Sequence, residues 1–188
     1  MKKVKILGIA GSLRKQSYNR GLLQAALEIA PVNCSLEIFE LDDIPVYNQD
    51  KEMSPPKSVT QLKEKVRAAD AILLATPEYN YSIPGVLKNA IDWVSRPYGE
   101  SAWENKPVAV MGASVGMQGT SRAQYHLRQV FVYLNMHPVN RPELMVPSAQ
   151  DKFDAQGKLT DPKTRQKIAE LLTSLVDSVE MLSRIETK

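Results

Sequence analysis

The residue pattern predicts an α/β fold: a doubly wound, five-stranded parallel sheet, ordered 2-1-3-4-5, with helices on both faces. Three observations carry that expectation. Short β-rich runs alternate with helix-length amphipathic stretches along the chain, and repeated βα units build parallel sheets. The run Ala71 to Thr76 (AILLAT) is apolar without alternation, as a central strand covered on both faces should be. The last strand-like stretch lies among Pro138, Pro142 and Pro147. Prolines belong at a sheet edge, which favours the five-stranded order over the dinucleotide-binding one.

Taken in order, Val4 to Ala10 reads as the first strand, ending in Gly11-Ser12, and Leu22, Leu23, Ala26, Leu27 and Ala30 form a helical stripe closed by Pro31 and Asn33. Leu36 to Leu41 reads as strand two, and the polar stretch 42–56 as the longest loop. Helical spacing returns at Val59, Leu62, Val66 and Ala69 before the AILLAT strand. Pro84 sits where a helix can begin, with Val86, Leu87, Ala90, Ile91 and Val94 as its stripe. Val108 to Ala113 is strand four, followed by a stripe of Ala123, Leu127, Val130, Phe131 and Leu134. An edge strand is expected within 138–147. The terminal helix has Thr160 and Asp161 at its cap, Pro162 in its first turn and apolar positions from Ile168 to Leu182.

The 188 residues suit one domain spanning 1–188, long enough to bury roughly 70% of the unfolded surface. A composition of 43% apolar and 24% charged residues is that of a folded globular protein. The net charge of +3 is too small to argue for nucleic acid, and no apolar run approaches a bilayer span. The basic start resembles a secretory leader, but its apolar stretch is cut short by Ser12 and Arg14. The single cysteine, Cys34, cannot form an internal disulfide and suits a reducing cytoplasm. It is expected as a buried, inert thiol just before strand two.

In the order 2-1-3-4-5, ligands sit beyond the carboxyl ends of strands 1, 3 and 4, so three loops matter. The first, 11–20, is a hydroxyl-rich turn into a helix, an arrangement that aims backbone N–H groups at a phosphate. Ser12, Ser17 and Asn19 add neutral donors and Arg14 a planar charged one. The first 20 residues hold six basic side chains and no acidic one. The spacing fits neither G-x-G-x-x-G nor a P-loop, and a plain helix cap with solvated charges remains an alternative. The second loop, Thr76 to Gly85, brings two tyrosines, an asparagine and two prolines to a strand end. It is either a flat surface for a planar heterocycle or a structural turn whose tyrosines merely pack. The third, Gly112 to Gly119, is small-residue turn that lets a ligand approach the backbone. Their coincidence at one sheet edge favours a ligand.

The segments GSLRKQSYN (11–19), PEYNYSIPGVLKNAIDW (77–93) and GASVGMQGTSRAQYHLRQ (112–129) resemble the NADPH-dependent FMN reductase family, and within it the bacterial quinone and chromate reductases. The likeness runs from about Val4 to about Val146; the terminal helix matches in position and pattern only. The resemblance implies a flavodoxin-like fold holding FMN noncovalently, with NADPH or NADH as reductant and a small-molecule electron acceptor. It places Ser12, Arg14, Ser17 and Asn19 as the main phosphate donors, with Leu13 and Tyr18 on the same turn. Pro77, Glu78, Tyr79, Asn80 and Tyr81 would line the isoalloxazine, with Ser114 and Gly116 on the far side. It also implies a homodimer or homotetramer, with Arg122, Tyr125 and Glu143 in an inter-subunit polar network. The chain departs at Gly119-Thr120, where relatives often carry Gly-Gly, which bears on the width of the substrate side.

Such chemistry asks little of side chains, because a flavin carries the electrons. The chain correspondingly shows no catalytic dyad: His126 and His137 have no matched nucleophile, and His126 is expected to be structural or interfacial. Trp93 is expected in the core, Trp103 is open, and Asp92 should cap or pair locally. Two other classes compete. An electron-carrier flavodoxin is typically strongly acidic, unlike this chain; a flavin-free phosphate-binding regulator would be colourless.

Overall fold

The computed structural model describes residues 3–186; Met1, Lys2, Thr187 and Lys188 of the expected 1–188 domain lie outside the described residues. Strand β1 (Val4–Ala10) leads into helix α1 (Tyr18–Ile29), then β2 (Cys34–Phe39), α2 (Lys57–Ala68) and β3 (Ala71–Ala75). Helix α3 (Gly85–Val94), β4 (Pro107–Ala113), α4 (Ser121–Tyr133), β5 (His137–Pro138), β6 (Leu144–Val146) and α5 (Pro162–Glu186) follow. The order is β2-β1-β3-β4-β5, all parallel, as expected.

The fifth strand departs from expectation: it is two pieces. β5 pairs with Pro107 and Val108 at the start of β4, and β6 pairs with Met111 to Ala113 at its end. Pro138 and Pro142 lack the N–H that a continuous ladder needs, and residues 140–143 leave the sheet between them. Strand two is also shifted. Val4 pairs with Cys34 and donates to Asn33 O at 2.9 Å, so the strand starts at the cysteine and ends before Glu40. Cys34 therefore lies in the strand rather than just ahead of it, buried as expected.

Strict alternation divides β1 and β3 between two cores. Ile6, Ala10, Ala71, Leu73 and Ala75 face α1 and α5, joined by Leu22, Leu23, Leu171 and Leu175. Leu7, Ile9, Ile72 and Leu74 face α2, α3 and α4, joined by Leu62, Leu87, Trp93 and Phe131. All five residues of β3 and all seven of β4 are buried, which explains their unbroken apolar runs. A one-residue slip would swap every side chain between two differently shaped cores, and misfit against the facing helices costs about 1–3 kcal/mol for each overpacked position.

Helix ends match local chemistry. Pro84 caps α3 without a side-chain bond; its carbonyl accepts from Leu87 and Lys88 at 3.0 and 3.1 Å. Asp161 caps α5, its Oδ2 accepting from the Thr164 N–H at 2.7 Å and the Thr164 hydroxyl at 2.6 Å. Asp92 pairs with Lys88 one turn earlier, at 2.7 Å. Trp93 and Trp103 are both core residues, their indole N–H groups donating to Pro45 O and Ile91 O at 2.8 and 3.0 Å. Trp93 and Asn89 hold the 42–56 loop against α3, Asn89 bonding both Tyr47 N–H and Pro45 O. Among the described residues no helix is long and apolar enough to cross a membrane, and no group of His, Cys, Asp and Glu could hold a metal.

Candidate functional site

The chain turns in opposite directions from β1, to β2 on one side and β3 on the other. Beyond that reversal the three expected loops converge on one cleft of about 200 Å³. Its lining includes Ser12, Arg14, Ser17, Tyr18 and Asn19 from the first loop, Pro77, Glu78 and Tyr79 from the second, and Ala113, Ser114 and Val115 from the third. Leu13, Asn80, Tyr81 and Gly116 do not line it. Leu13 and Tyr81 instead stand at the surface, 45% and 67% exposed. A larger hollow between α2 and residues 96–100 is crossed by Lys63, Arg67 and Glu100 contacts and lies away from the strand ends.

The first loop forms around the start of α1. Ser17 is the N-cap, its hydroxyl accepting from Asn19 N–H at 3.2 Å, and the first turn carries no acidic side chain. Ser17 N–H donates to Arg14 O at 3.1 Å, and Ser12 Oγ accepts from Arg14 N–H at 3.4 Å. Backbone dipoles make this end of the helix favourable to an anion. Arg14 is exposed, its guanidinium 5.5 Å from the Tyr18 ring centre. Tyr18 rests in turn on Phe153, 4.9 Å away.

Asn19, buried at 3% exposure, has a more specific role than a free donor. Its Oδ1 accepts from Ala113 N–H at 2.9 Å, and its Nδ2 donates to Ala113 O at 3.0 Å. The carboxamide imitates a strand and continues the ladder past the end of β3, on the edge of β4 away from β6. It thereby fixes the first loop to the third. Arg20 braces the same loop, donating to Ser12 O at 3.2 Å while pairing with Asp42 and Glu40.

The second loop is bolted to α4. Thr120 gives α4 no side-chain cap; Glu78 supplies one, its Oε2 accepting from Arg122 N–H and Ala123 N–H at 2.9 and 3.1 Å. Its Oε1 accepts from the Arg122 guanidinium at 3.1 Å. Tyr79 and Ser82 exchange two backbone bonds, 3.1 and 3.0 Å, around Asn80 and Tyr81 at φ of 50° and 65°. That is a type I′ turn. Ser82 Oγ lies 2.9 Å from His126 Nδ1, which gives His126 its structural partner.

In the third loop, Gly116 N–H donates to Ser114 Oγ at 3.1 Å, and Ser114 N–H reaches Val146 O at 3.0 Å. Thr120, the departure from Gly-Gly, is fully buried. A Cβ on Gly112 would lie 2.1 Å from its Oγ1 and 2.3 Å from Thr76 O. Thr120 thus fills the core beneath the loop rather than setting a width above it. Tyr125 OH donates to Glu143 within the protomer at 3.3 Å, while Arg122 points the other way, to Glu78 and Tyr81.

Arg20, Glu78 as a helix cap, Ala113 and Phe153 carry the site without a local sequence signal. Each acts across many positions of chain, so only the fold reveals it.

Sheet order and the cleft at its reversal define a flavodoxin-type α/β protein. The model of the NADPH-dependent FMN reductase family matches residues 4–151, and the chain belongs to that family. It is 53% identical over 173 residues to an NAD(P)H-dependent FMN reductase of Pseudomonas aeruginosa, covering 92% of this chain and 93% of that protein. It is 42% identical to a 2-hydroxy-1,4-benzoquinone reductase of a Burkholderia species, over 87% of this chain and 89% of that one. Among solved structures, the flavoenzyme NAD(P)H:(acceptor) oxidoreductase FerB from Paracoccus denitrificans superposes with a TM-score of 0.86 at 35% identity, covering 95% and 98% of the two chains.

Proposed function

We propose that the protein is an oxidoreductase that binds FMN in the cleft and transfers electrons from NAD(P)H to quinones and similar small acceptors. One observation carries the reading: loops separated by tens of residues meet in one cleft, Ser12, Arg14 and Ser17 coming from the first, Pro77 and Tyr79 from the second and Ser114 from the third. The residues fit the group. Ser12, Ser17 and Arg14 at an acid-free helix start suit a phosphate monoester, and Tyr79, 51% exposed beside Pro77, suits a flat ring. Bound there, FMN supplies two-electron chemistry between a nicotinamide and an acceptor. The chain's own residues hold the tail, orient the ring and leave one face open. In the net reaction NAD(P)H and a proton reduce a quinone to its hydroquinone.

The names of the relatives support quinone as the acceptor class; chromate and azo compounds belong in the same panel. A reduced cytoplasmic setting suits the unpaired Cys34. The exposed Tyr125, Val132 and Tyr133 along α4 support a homodimer or homotetramer. The test is an anaerobic NADPH titration of FMN-loaded protein followed by benzoquinone. Bleaching of the flavin band and its return with the quinone is expected. Protein that takes up no FMN overturns the reading, and protein that takes it up but never oxidises NAD(P)H is a carrier instead.

A further inference from the structure

The segment between β6 and α5 makes a small hairpin that lands on the first loop of the cleft. Phe153 and Leu159 pair antiparallel, and Asp154 N–H donates to Lys158 O at 3.0 Å. The Asp154 carboxylate closes the tip, its Oδ1 accepting from Gln156 N–H and Lys158 N–H at 2.9 and 2.8 Å. The hairpin meets α1 backbone to backbone: a Cβ on Gly21 would lie 2.4 Å from Gly157 O and 2.8 Å from the Phe153 ring. Glycine inside a helix is unfavourable on its own account, and α1 carries one where the hairpin touches it. Lys158 of the hairpin and Arg165 of α5 reach Glu28, two turns further along the same face, at 3.5 and 2.9 Å. Three residues before Gly21, the Tyr18 ring meets the ring of Phe153 at 4.9 Å. Phe153 is buried, whereas Tyr18 lines the cleft, with the Arg14 guanidinium 5.5 Å from its ring centre.

We infer that Phe153 is a positioning residue that makes the cleft selective for a phosphorylated flavin. By backing Tyr18 it holds the turn from Ser12 to Asn19, Arg14 included, in the shape that meets a phosphate. The inference rests on the FMN reading above. Phe153 does not itself line the cleft; its effect passes through Tyr18. The flavin ring is received by the second and third loops, which the hairpin's contact with α1 does not support, so the loss of that contact should be felt by the phosphate and not by the ring.

Riboflavin, which has the same ring and no phosphate, gives the experiment its internal control. Dissociation constants for FMN and riboflavin are measured by fluorescence quenching for wild type, Phe153→Leu and Gly21→Ala. Phe153→Leu keeps an apolar side chain and removes the ring. Gly21→Ala improves the propensity of α1 but drives a methyl group against Gly157 O and lifts the hairpin. Each variant should weaken FMN binding about three- to tenfold, the worth of an aromatic pair, and leave riboflavin within about twofold of wild type. In flavin-free protein, amide exchange at Ser17, whose N–H closes the turn onto Arg14 O at 3.1 Å, should quicken in both variants. An equal loss for the two flavins overturns the proposal, because a general loosening does not tell them apart. So does an FMN affinity that Phe153→Leu leaves unchanged, or Ser17 exchange that neither variant alters. Wild-type protein that binds neither flavin overturns the functional reading instead, while Ser17 exchange still decides whether Phe153 holds the turn.

Discussion

Replacing Asn19 by alanine removes two hydrogen bonds at once and leaves both polar groups of a buried residue without partners. The bonds are 2.9 and 3.0 Å long, and Asn19 and Ala113 are 3% and 2% exposed. A stranded buried donor or acceptor costs about 1–3 kcal/mol. Two such groups, with some relief from water entering beside the cleft, give a loss of about 3 kcal/mol. That is a large share of the ~5–15 kcal/mol that stabilises a typical domain. Urea unfolding of FMN-free protein measures it without interference from the cofactor. For a slope near ~2 kcal/mol/M the midpoint should fall by about 1.5 M, and the melting temperature by roughly 6–12 °C. Asn19→Asp should be no better: one oxygen still accepts from Ala113 N–H, but the other faces Ala113 O with no proton to donate. A loss below about 1 kcal/mol in Asn19→Ala, the level of one ordinary hydrogen bond, would refute the strand-extending role.

Arg14→Ala should weaken FMN binding about 10- to 100-fold, the worth of one charged hydrogen bond to phosphate, in equilibrium titration of FMN-free protein. Asp161→Ala should cost about 1 kcal/mol as a lost helix cap. The Thr164 hydroxyl and N–H hold that carboxyl below its ordinary range, so the contribution is present above the unfolded carboxyl pKa and lost as pH falls through the folded one. The variant's deficit should therefore shrink in acid unfolding curves. Cys34→Ser should leave turnover unchanged, because the thiol is buried at the amino end of β2, opposite the carboxyl ends of the strands that carry the cleft. Burial also pushes that thiol's pKa up. Its contribution is complete below the unfolded thiol's pKa and fades as pH rises through the folded value, so wild type should lose stability above about pH 9 in a way the serine variant does not.

Periodicity made most of the fold legible. Strands β1, β3 and β4 and all five helices follow from apolar spacing, because burial on one or two faces writes directly into local sequence. The loops of the site followed from the sheet order alone. What stayed hidden depends on partners distant in sequence. Nothing near Glu78 announces that it caps a helix starting at Ser121, since capping is normally read from the residue just before the helix. Asn19 looked like a ligand donor because an exposed helix start and a buried clamp use the same residue type. The Gly119-Thr120 departure could be read in sequence as bearing on the width of the substrate side, because the close approach of Gly112 from β4, which turns Thr120 into the core, is visible only in the fold. The break in the fifth strand was half legible: its prolines indicated an edge but not two separate pieces.

That break bears on how copies of this chain can associate. An open sheet invites a stranger's strand to add to its rim, the route by which many α/β proteins aggregate. Here the rim beyond β4 consists of pieces two and three residues long with an interruption between them. No uninterrupted row of donors and acceptors is on offer to an incoming backbone. Self-association on that flank must therefore proceed by fitting helices and side chains together, with that edge of the sheet closed to extension.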